Sequence, residues 1–280
     1  MVDLTQKTAL ITGGAQGIGR SIVKRFHQAG SNVIVVDTSH DKLSDLASEV
    51  SSNISICVAD ISSEASLNSE LAPILQRHVP VDILVNNAAT VTRRAKITDL
   101  GLDEWQRTLD VNLTGAFLVS KMIIPSMCAN GGGVILNVAS QLGHVAIEGA
   151  AAYCTTKGGM LQFTRALALD HTEDNIRVVA LSPGAVQTPR LANIFGSPEA
   201  AEEILGPSHP VGRLGQAEEL SEAALFLVSG VILYMHYEML WPMLVGLGLI
   251  LFTMFMWWRD IIKESTFLKV HNSITEIGLR

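Results

Sequence analysis

Residues 8–19 have the sequence TALITGGAQGIG, in which a short apolar run meets a loop with four glycines. The apolar run predicts a strand, and the amphipathic stretch 17–29 that overlaps the last glycines predicts a helix. Glycines at such a junction permit a tight turn and bring backbone amides close to a phosphate at the helix N-terminus. The stretch therefore predicts a nucleotide-binding loop, with an ordinary strand-to-helix turn as the alternative.

The same alternation of strand and helix patterns continues to about residue 228. Apolar runs predict strands at 8–12, 32–37, 54–59, 82–86, 133–139 and 177–182. Helical patterns lie between and after them, at 17–29, 42–50, 64–78, 102–127, 151–171 and 217–228. Apolar strands that alternate with helices are typical of an α/β fold with a Rossmann-like, doubly wound parallel sheet. Ligands of such sheets bind beyond the carboxyl ends of the strands.

Asp37 ends the second predicted strand, about 20 residues after the glycine-rich loop, where an acidic side chain can accept hydrogen bonds from ribose hydroxyls. A carboxylate at this position would repel a 2′-phosphate. Gln16 in the loop is neutral, and Thr38 and Ser39 after Asp37 add no cation. We therefore expect NAD(H) rather than NADP(H), with a solvated strand-end Asp37 as the alternative.

Two more polar segments follow predicted strands at the same edge of the sheet. Asp60-Ile61 ends the third strand, and Asn86-Asn87-Ala88-Ala89 ends the fourth. Their positions predict contacts with the adenosine half of the cofactor, although an Asn pair can also serve only as a strand-ending turn.

Tyr153 and Lys157 lie one turn apart on the same face of a predicted helix. A phenol has an ordinary pKa of about 10, and a nearby ammonium group favours its ionised form. Ser140, at the end of the fifth strand, is placed to hold and polarise a substrate oxygen, and Asn112 to anchor a water joined to Lys157. An isolated Tyr/Lys pair would more simply be an exposed helix face, but this pair follows a strand that carries Ser140.

The predicted substrate elements are the stretch after Ser140, with Gln141, His144 and Glu148, and the loop 189–213. These residues fit a small alcohol, polyol, sugar or ketone. A solvated loop histidine is an equal alternative for His144.

The composition argues against several other classes of function. The chain of 280 residues has a formal net charge of −7 and no dense Lys/Arg cluster, which argues against nucleic-acid binding. Cys57, Cys128 and Cys154 have no metal-ligand spacing, so we expect free thiols and no metal site. The first residues lack a secretion signal, and we expect a cytoplasmic enzyme domain.

Together these motifs resemble the short-chain dehydrogenase/reductase family over about residues 5–228. The family's Thr-Gly-x-x-x-Gly-x-Gly corresponds to 12–19, its Asn-Asn-Ala-Gly to 86–89 with Ala89 as a departure, and its Tyr-x-x-x-Lys to 153–157. The resemblance implies a catalytic tetrad of Asn112, Ser140, Tyr153 and Lys157, and a homodimer. The cofactor residues that it implies are Thr12, Gly13, Gln16, Gly17, Ile18, Gly19, Asp37, Asp60, Ile61, Asn87, Ala88, Tyr153, Lys157, Pro183, Gly184, Val186 and Thr188, with Lys157 on the nicotinamide ribose.

After residue 228 the composition changes, and we expect a first domain at 1–228 and a hydrophobic tail at 229–280. Residues 239–258 contain no Asp, Glu, Lys, Arg or His. A helix of that length, at about 1.5 Å per residue, would cross a hydrocarbon core about 30 Å thick. The tail takes the place of the family's usual last strand, and its segment WWRDIIKESTF at 257–267 resembles cytochrome c oxidase subunit III.

Three interpretations of the tail stay open. It is a membrane anchor for the enzyme domain, a buried helix that replaces the missing strand, or the product of a chimeric reading frame. The corresponding alternative to an enzyme is a membrane structural subunit or a non-functional fusion.

Overall fold

Six parallel strands form one sheet in the order β3-β2-β1-β4-β5-β6. They are β1 Thr8–Thr12, β2 Asn32–Asp37, β3 Ile54–Val58, β4 Ile83–Asn86, β5 Gly133–Val138 and β6 Ile176–Leu181. The computed structural model describes residues 2–50, 52–78 and 80–229. The predicted tail helix at 239–258 lies outside these residues.

The sheet is buried on both faces because helices cover each side. Alternate side chains of a strand point to opposite faces. Ile11 and Val35 accordingly belong to one apolar cluster, while Leu10 and Ile34 belong to the other. Burial of each such side chain stabilises the fold by about 1.5–3 kcal/mol, which explains why the strands are continuous apolar runs.

Ten α-helices are present among the described residues. They are α1 Gly17–Gln28, α2 His40–Val50, α3 Glu64–Ser66, α4 Ala72–His78, α5 Leu102–Leu109, α6 Gly115–Ala129, α7 Ala151–Asp170, α8 Pro189–Phe195, α9 Pro198–Leu205 and α10 Ala217–Val228. Helices α1, α2 and α10 pack on one face of the sheet, and α4, α6 and α7 supply core residues to the other.

The strand order reverses between β1 and β4, at the centre of the sheet. The chain leaves β1 toward β2 and β3 and then returns to pair β4 with β1. A crevice forms at such a switch point, outside the carboxyl ends of the strands. The glycine-rich loop after β1 and the segment after β4 therefore face each other, and the predicted α/β fold is confirmed.

Two predicted helices contain a π-helical turn. The predicted helix 102–127 consists of α5, a π-helix at Asp110–Thr114 and α6, and the predicted helix 64–78 has its π-helix at Leu67–Leu71. A π-turn inserts one extra residue into the helix and is frequent at functional sites. The first of the two carries Asn112.

The segment 189–213, which the sequence analysis treats as a loop, instead contains α8 and α9. Both helices begin with Pro at a first-turn position, and Ser197 caps α9 by accepting a hydrogen bond from the Ala200 amide at 3.1 Å. Pro at the first turn and Ser at the N-cap are helix-start signals. The prediction of a loop was wrong, since it did not take the helix-start signals at Pro189 and Ser197 into account.

One described helical segment, Leu102–Ala129, is long and apolar enough to cross a membrane by length and composition alone. Its side chains Val119, Ile123 and Met127 are almost completely buried in the domain core. This packing is that of a core helix in an α/β domain.

Candidate active site

The glycine-rich loop is shaped for a close approach of backbone to backbone. Gly17, the first residue of α1, has a φ of +56°, which L side chains rarely adopt. A Cβ atom on Gly19 would lie 2.1 Å from the Gly13 carbonyl oxygen. The α1 N-terminus thus stays open toward the crevice, where its amides can bind a phosphate.

The segment after β4 holds this loop in place. The Thr12 hydroxyl accepts hydrogen bonds from the backbone amides of Asn87 and Ala88, each at 3.1 Å. The Asn87 side-chain amide donates to the carbonyls of Thr12 and Gly13, both at 2.9 Å. Thr12 and Asn87 therefore position the loop, and Asn87 presents its own backbone to the crevice.

Asp37 lies at the carboxyl end of β2, beside the loop. One carboxylate oxygen accepts a hydrogen bond from the Ala15 amide, and the other accepts one from the Ser39 amide, each at 3.1 Å. These bonds fix the carboxylate at the edge of the crevice. The Lys42 ammonium donates to the Gln16 side chain at 2.6 Å, so a cation that the sequence analysis missed lies next to the loop.

Asp60 and Ile61 occupy the third strand end but have different surroundings. Burial opposes ionisation of Asp60, yet hydrogen bonds from Ser62 and the charge of Arg107 outweigh it and lower the pKa of Asp60. Ile61 is 6% exposed and packs against Gly115 of α6. Asp60 is thus held as a carboxylate, while Ile61 mainly completes the core.

Lys157 is the central cation of the site. It is 2% exposed, and its ammonium donates to the Val138 carbonyl at the end of β5 at 2.7 Å. The nitrogen lies 5.7 Å from the centre of the Tyr153 ring. Burial, with a smaller effect from the charge of Arg190, lowers the pKa of Lys157 to about 7.

Tyr153 lies one turn before Lys157 on α7. Burial raises the pKa of its phenol, while the charge of Arg190 and a hydrogen bond with Ser140 act in the opposite direction. Ser140 is 8% exposed at the end of β5. The structure therefore brings Ser140, Tyr153 and Lys157 together at the carboxyl edge of the sheet.

Asn112 joins this group through its side chain. Its amide oxygen accepts from the Thr90 amide at 2.7 Å, and its nitrogen donates to the Thr90 carbonyl at 2.9 Å and to the Thr156 hydroxyl at 3.1 Å. Thr156 in turn donates to the Tyr153 carbonyl at 2.9 Å. Asn112 is thus tied to α7, and both hydrogens of its amide nitrogen are already used.

Comparisons with known proteins agree with this geometry. The family model for short chain dehydrogenases matches residues 7–198. The chain belongs to the short-chain dehydrogenase family. A second family model, that of cytochrome c oxidase subunit III, matches residues 209–280. Both predicted resemblances are confirmed, although the second match begins inside the α/β domain, whose helix α10 packs against the core.

Individual relatives cover most of the chain. An NAD-dependent glycerol dehydrogenase from Listeria innocua is 33% identical over 81% of this chain and 88% of its own length. The trans-4-hydroxycyclohexanecarboxylate dehydrogenase from Sinomonas cyclohexanicum is 33% identical over 81% and 87%. A solved 3-ketoacyl-(acyl-carrier-protein) reductase from Brucella melitensis, complexed with NADH, has a TM-score of 0.77 and 36% identity over 81% of this chain and 93% of that one. The protein is therefore an oxidoreductase of the dehydrogenase/reductase type.

In this short-chain dehydrogenase, the segment 183–188 closes the crevice on the side opposite β4. Pro183 accepts a hydrogen bond from the Gln141 amide at 2.9 Å. The Thr188 methyl lies 3.2 Å from where a Gly17 Cβ would stand, so it contacts the glycine-rich loop. Val186 is buried and forms a bridge with Gly215. Of the predicted residues here, Val186 serves to anchor the segment.

Substrate-side residues lie where β5 and β6 end. The Gln141 side-chain oxygen and the His209 ring both pack over Gly184. His144 contacts the Ser182 hydroxyl at 3.2 Å, and Glu148 is exposed. The Ala185 amide donates to His209 Nε2 at 3.0 Å, and His209 Nδ1 lies 2.9 Å from the Leu205 carbonyl. His209 therefore joins the segment 183–188 to the end of α9.

Besides Lys42, three residues at this site were not predicted individually: Arg190, Thr156 and His209. Arg190 follows Thr188-Pro189, and its guanidinium donates to the Ala89 carbonyl across the crevice. Its position directly after the 183–188 segment was a usable signal. No sequence signal indicated Thr156 or His209, because their contacts depend on how distant segments of the chain pack together.

Proposed function

We propose that this dehydrogenase transfers a hydride between NAD(H) and a hydroxyl or carbonyl group of a small substrate by a Ser-Tyr-Lys mechanism. The observation that carries the proposal is the buried Lys157 ammonium, 5.7 Å from the centre of the Tyr153 ring, with Ser140 hydrogen-bonded to Tyr153.

The residues around the crevice fit a dinucleotide. The loop with Gly13, Gly17 and Gly19 would hold the diphosphate, and a side chain at Gly19 would collide with the Gly13 carbonyl and disrupt the loop. Asp37 would accept hydrogen bonds from the ribose hydroxyls of the adenosine half. Lys157 and the segment 183–188 would hold the nicotinamide half. When bound, the nicotinamide ring supplies or accepts the hydride.

Protons are handled by the chain's own side chains. Ser140 would donate a hydrogen bond to the substrate oxygen, and the Tyr153 phenol would exchange a proton with that same oxygen. Positive charge on Lys157 and Arg190 favours the phenolate form of Tyr153. Because the pKa of Lys157 is about 7, its charge and hence its help to Tyr153 change near neutral pH.

We propose NAD(H) as the cofactor because Asp37 presents a fixed carboxylate to the place of the 2′-hydroxyl. Lys42 beside Gln16 is the nearby cation that could favour NADP(H). Two relatives support the assignment, one named NAD-dependent and one solved with NADH.

Substrates of the relatives include glycerol, a hydroxycyclohexanecarboxylate and a 3-ketoacyl group. These names support a small alcohol, polyol, sugar or ketone. The homodimer that the family resemblance implies stays a prediction, as does the cytoplasmic location of the domain.

The test is NADH-linked turnover of the purified full chain on a panel of small alcohols and ketones. Tyr153→Phe removes the proton donor, so we expect a loss of at least about 100-fold in kcat with NADH binding retained. Tyr234→Phe removes the same hydroxyl from the tail and should leave turnover unchanged. Full activity of Tyr153→Phe would overturn the mechanism.

The match to cytochrome c oxidase subunit III favours one second candidate. In that case the chain is a membrane structural subunit and its α/β domain is dispensable. It predicts co-purification with oxidase subunits that survives deletion of residues 1–228. Absence of oxidase subunits from the purified full chain would reject it.

A further inference from the structure

Arg190 stands at the mouth of the crevice, two residues after Thr188. It lies in the first turn of α8 and reaches across to the Ala89 carbonyl at the end of the β4 segment. Its positive charge acts on both Tyr153 and Lys157. The contact with Ala89, next to Thr90 and its partner Asn112, also places the guanidinium beside the predicted tetrad.

The charge of Arg190 has no carboxylate partner within ion-pair distance among residues 2–50, 52–78 and 80–229. Its hydrogen bond acceptor is a neutral carbonyl. Four other arginines of the described residues face an acid, among them Arg20 with Glu49, Arg25 with Glu222 and Arg213 with Glu219, while the remaining ones form no ion pair. A guanidinium beside a buried ammonium repels it, so an anion bound between them would be stabilised by both.

A second basic group lies in the loop that follows Thr90. The loop after Thr90 carries Arg93, Arg94 and Lys96 in a chain whose net charge is −7. The Ala95 amide donates to the Gly149 carbonyl at 3.1 Å, and Arg94 packs against Gly149. This loop thus borders the predicted substrate segment after Ser140. Arg93 is paired with Glu104, whereas Arg94 and Lys96 form no ion pair within the described residues.

We propose that Arg190 is the recognition residue for an oxyanion of the substrate, and that the preferred substrates are hydroxy or keto acids rather than neutral alcohols. The inference rests on the proposed function and adds the substrate class to it. A guanidinium binds a carboxylate through two parallel N–H donors. Such a bond would fix the distance between the carboxylate and the carbon that carries the reacting oxygen.

The diphosphate of the cofactor is the other oxyanion that could reach Arg190. The α1 N-terminus, which lies beside Thr188, already offers backbone amides to the diphosphate. Arg190 bonds the carbonyl of Ala89, which directly precedes Thr90 and the basic loop that contacts Gly149 of the predicted substrate segment, and this contact favours the substrate.

The test compares gluconate with sorbitol, and 4-hydroxycyclohexanecarboxylate with 4-(hydroxymethyl)cyclohexanol, as matched acidic and neutral substrates of the full chain. We expect Arg190→Gln to lose about 10- to 100-fold in kcat/KM on the acids and less than about threefold on the neutral partners, with NADH affinity unchanged. Arg190→Lys should recover part of the loss, because it restores charge without the paired donors. Arg165→Gln, on the exposed face of α7, is the matched control and should have no effect.

The outcomes separate the possible failures. Equal losses on acids and neutral alcohols together with weaker NADH binding would assign Arg190 to the diphosphate and overturn the proposal. A wild-type chain that prefers the neutral partners would overturn it as well. If the wild type turns over no substrate, calorimetry compares malonate binding to the NADH complexes of the wild type and of Arg190→Gln. This comparison still tests whether Arg190 binds an anion. If Tyr153→Phe loses activity and Arg190→Gln does not, the proposed function stands and the role of Arg190 in substrate recognition is rejected.

Discussion

At the scale of single residues, the burial of Lys157 governs the chemistry of the site. An ammonium that is 2% exposed keeps its charge less easily than one in water, and its pKa falls to about 7. The domain core thus brings the titration of a lysine into the physiological range. Burial of the Lys157 ammonium therefore affects the stability of the protein as well as its activity.

The pH dependence of stability follows from this pKa. Between pH 7 and about 10.5, the reference value, the unfolded chain keeps the Lys157 proton that the folded chain releases. Stability from this residue therefore rises with pH through that window and is lowest below pH 7. We expect Lys157→Met to raise the melting temperature at pH 6.5 by about 5 °C, and by less at pH 9.5. Lys96→Met, at an exposed lysine, serves as control; a pH-independent difference for Lys157→Met would contradict the buried charge.

At the same scale, the proposed preference for NAD(H) depends on Asp37. Asp37→Ser removes the carboxylate that would repel a 2′-phosphate and leaves Lys42 beside the loop. We expect the ratio of kcat/KM for NADPH over NADH to rise by about 10- to 100-fold. Asp41→Ser removes a fully exposed carboxylate nearby and should leave the ratio unchanged. A wild-type preference for NADPH would reject the assignment.

At the scale of elements, β6 and α10 are joined by one side chain. Arg177 of β6 donates to the carbonyls of Leu227, Val228 and Ser229 at the end of α10. The last carbonyls of a helix lack partners within the helix, and a cation there also offsets the helix dipole. Burial lowers the pKa of Arg177, but three acceptors compensate for the lost hydration.

We expect Arg177→Met to destabilise the domain by about 1–3 kcal/mol, because it leaves carbonyls unpaired at the end of α10. Thermal unfolding measures the change. Arg165→Met, which removes an exposed arginine from α7, should have little effect. Equal melting temperatures for the two variants would mean that solvent satisfies the α10 carbonyls instead.

At the scale of the whole molecule, an acidic α/β domain precedes a tail of different character. The described residues up to 229 form one compact unit. The predicted boundary between the first domain and the tail, at residue 228, stays a prediction. The tail would insert into a bilayer both as an evolved membrane anchor and as the product of a chimeric reading frame, because insertion depends on length and apolarity.

We therefore expect the full chain to remain with membranes after alkaline carbonate extraction. Replacing both Leu247 and Leu251 with Lys should release it, since each lysine at the centre of a span costs about 2.5–3.5 kcal/mol. Replacing the same two leucines with Ala is the control and should retain binding. Release of the unchanged chain would favour the buried-helix interpretation.

Local patterns were enough to predict the strands, the glycine-rich loop and the Tyr153/Lys157 pair. Each strand end lies within one residue of its expected place, because a buried parallel strand is an unbroken apolar run. Spacing on a helix likewise decides which side chains share a face. Helices α8 and α9 were missed although Pro189 and Ser197 signalled them.

The sequence by itself determined the fold class, the place of the glycine-rich loop and the spacing of Tyr153 and Lys157, because strand and helix periodicity and short motifs are properties of neighbouring residues. Only the tertiary structure decided that Asn112 bonds Thr90 and Thr156, that Lys42 stands beside Gln16, and that Arg190 reaches Ala89. These contacts join residues 22 to 101 positions apart. Their geometry follows from how helices pack on a twisted sheet, which no local pattern of residues records.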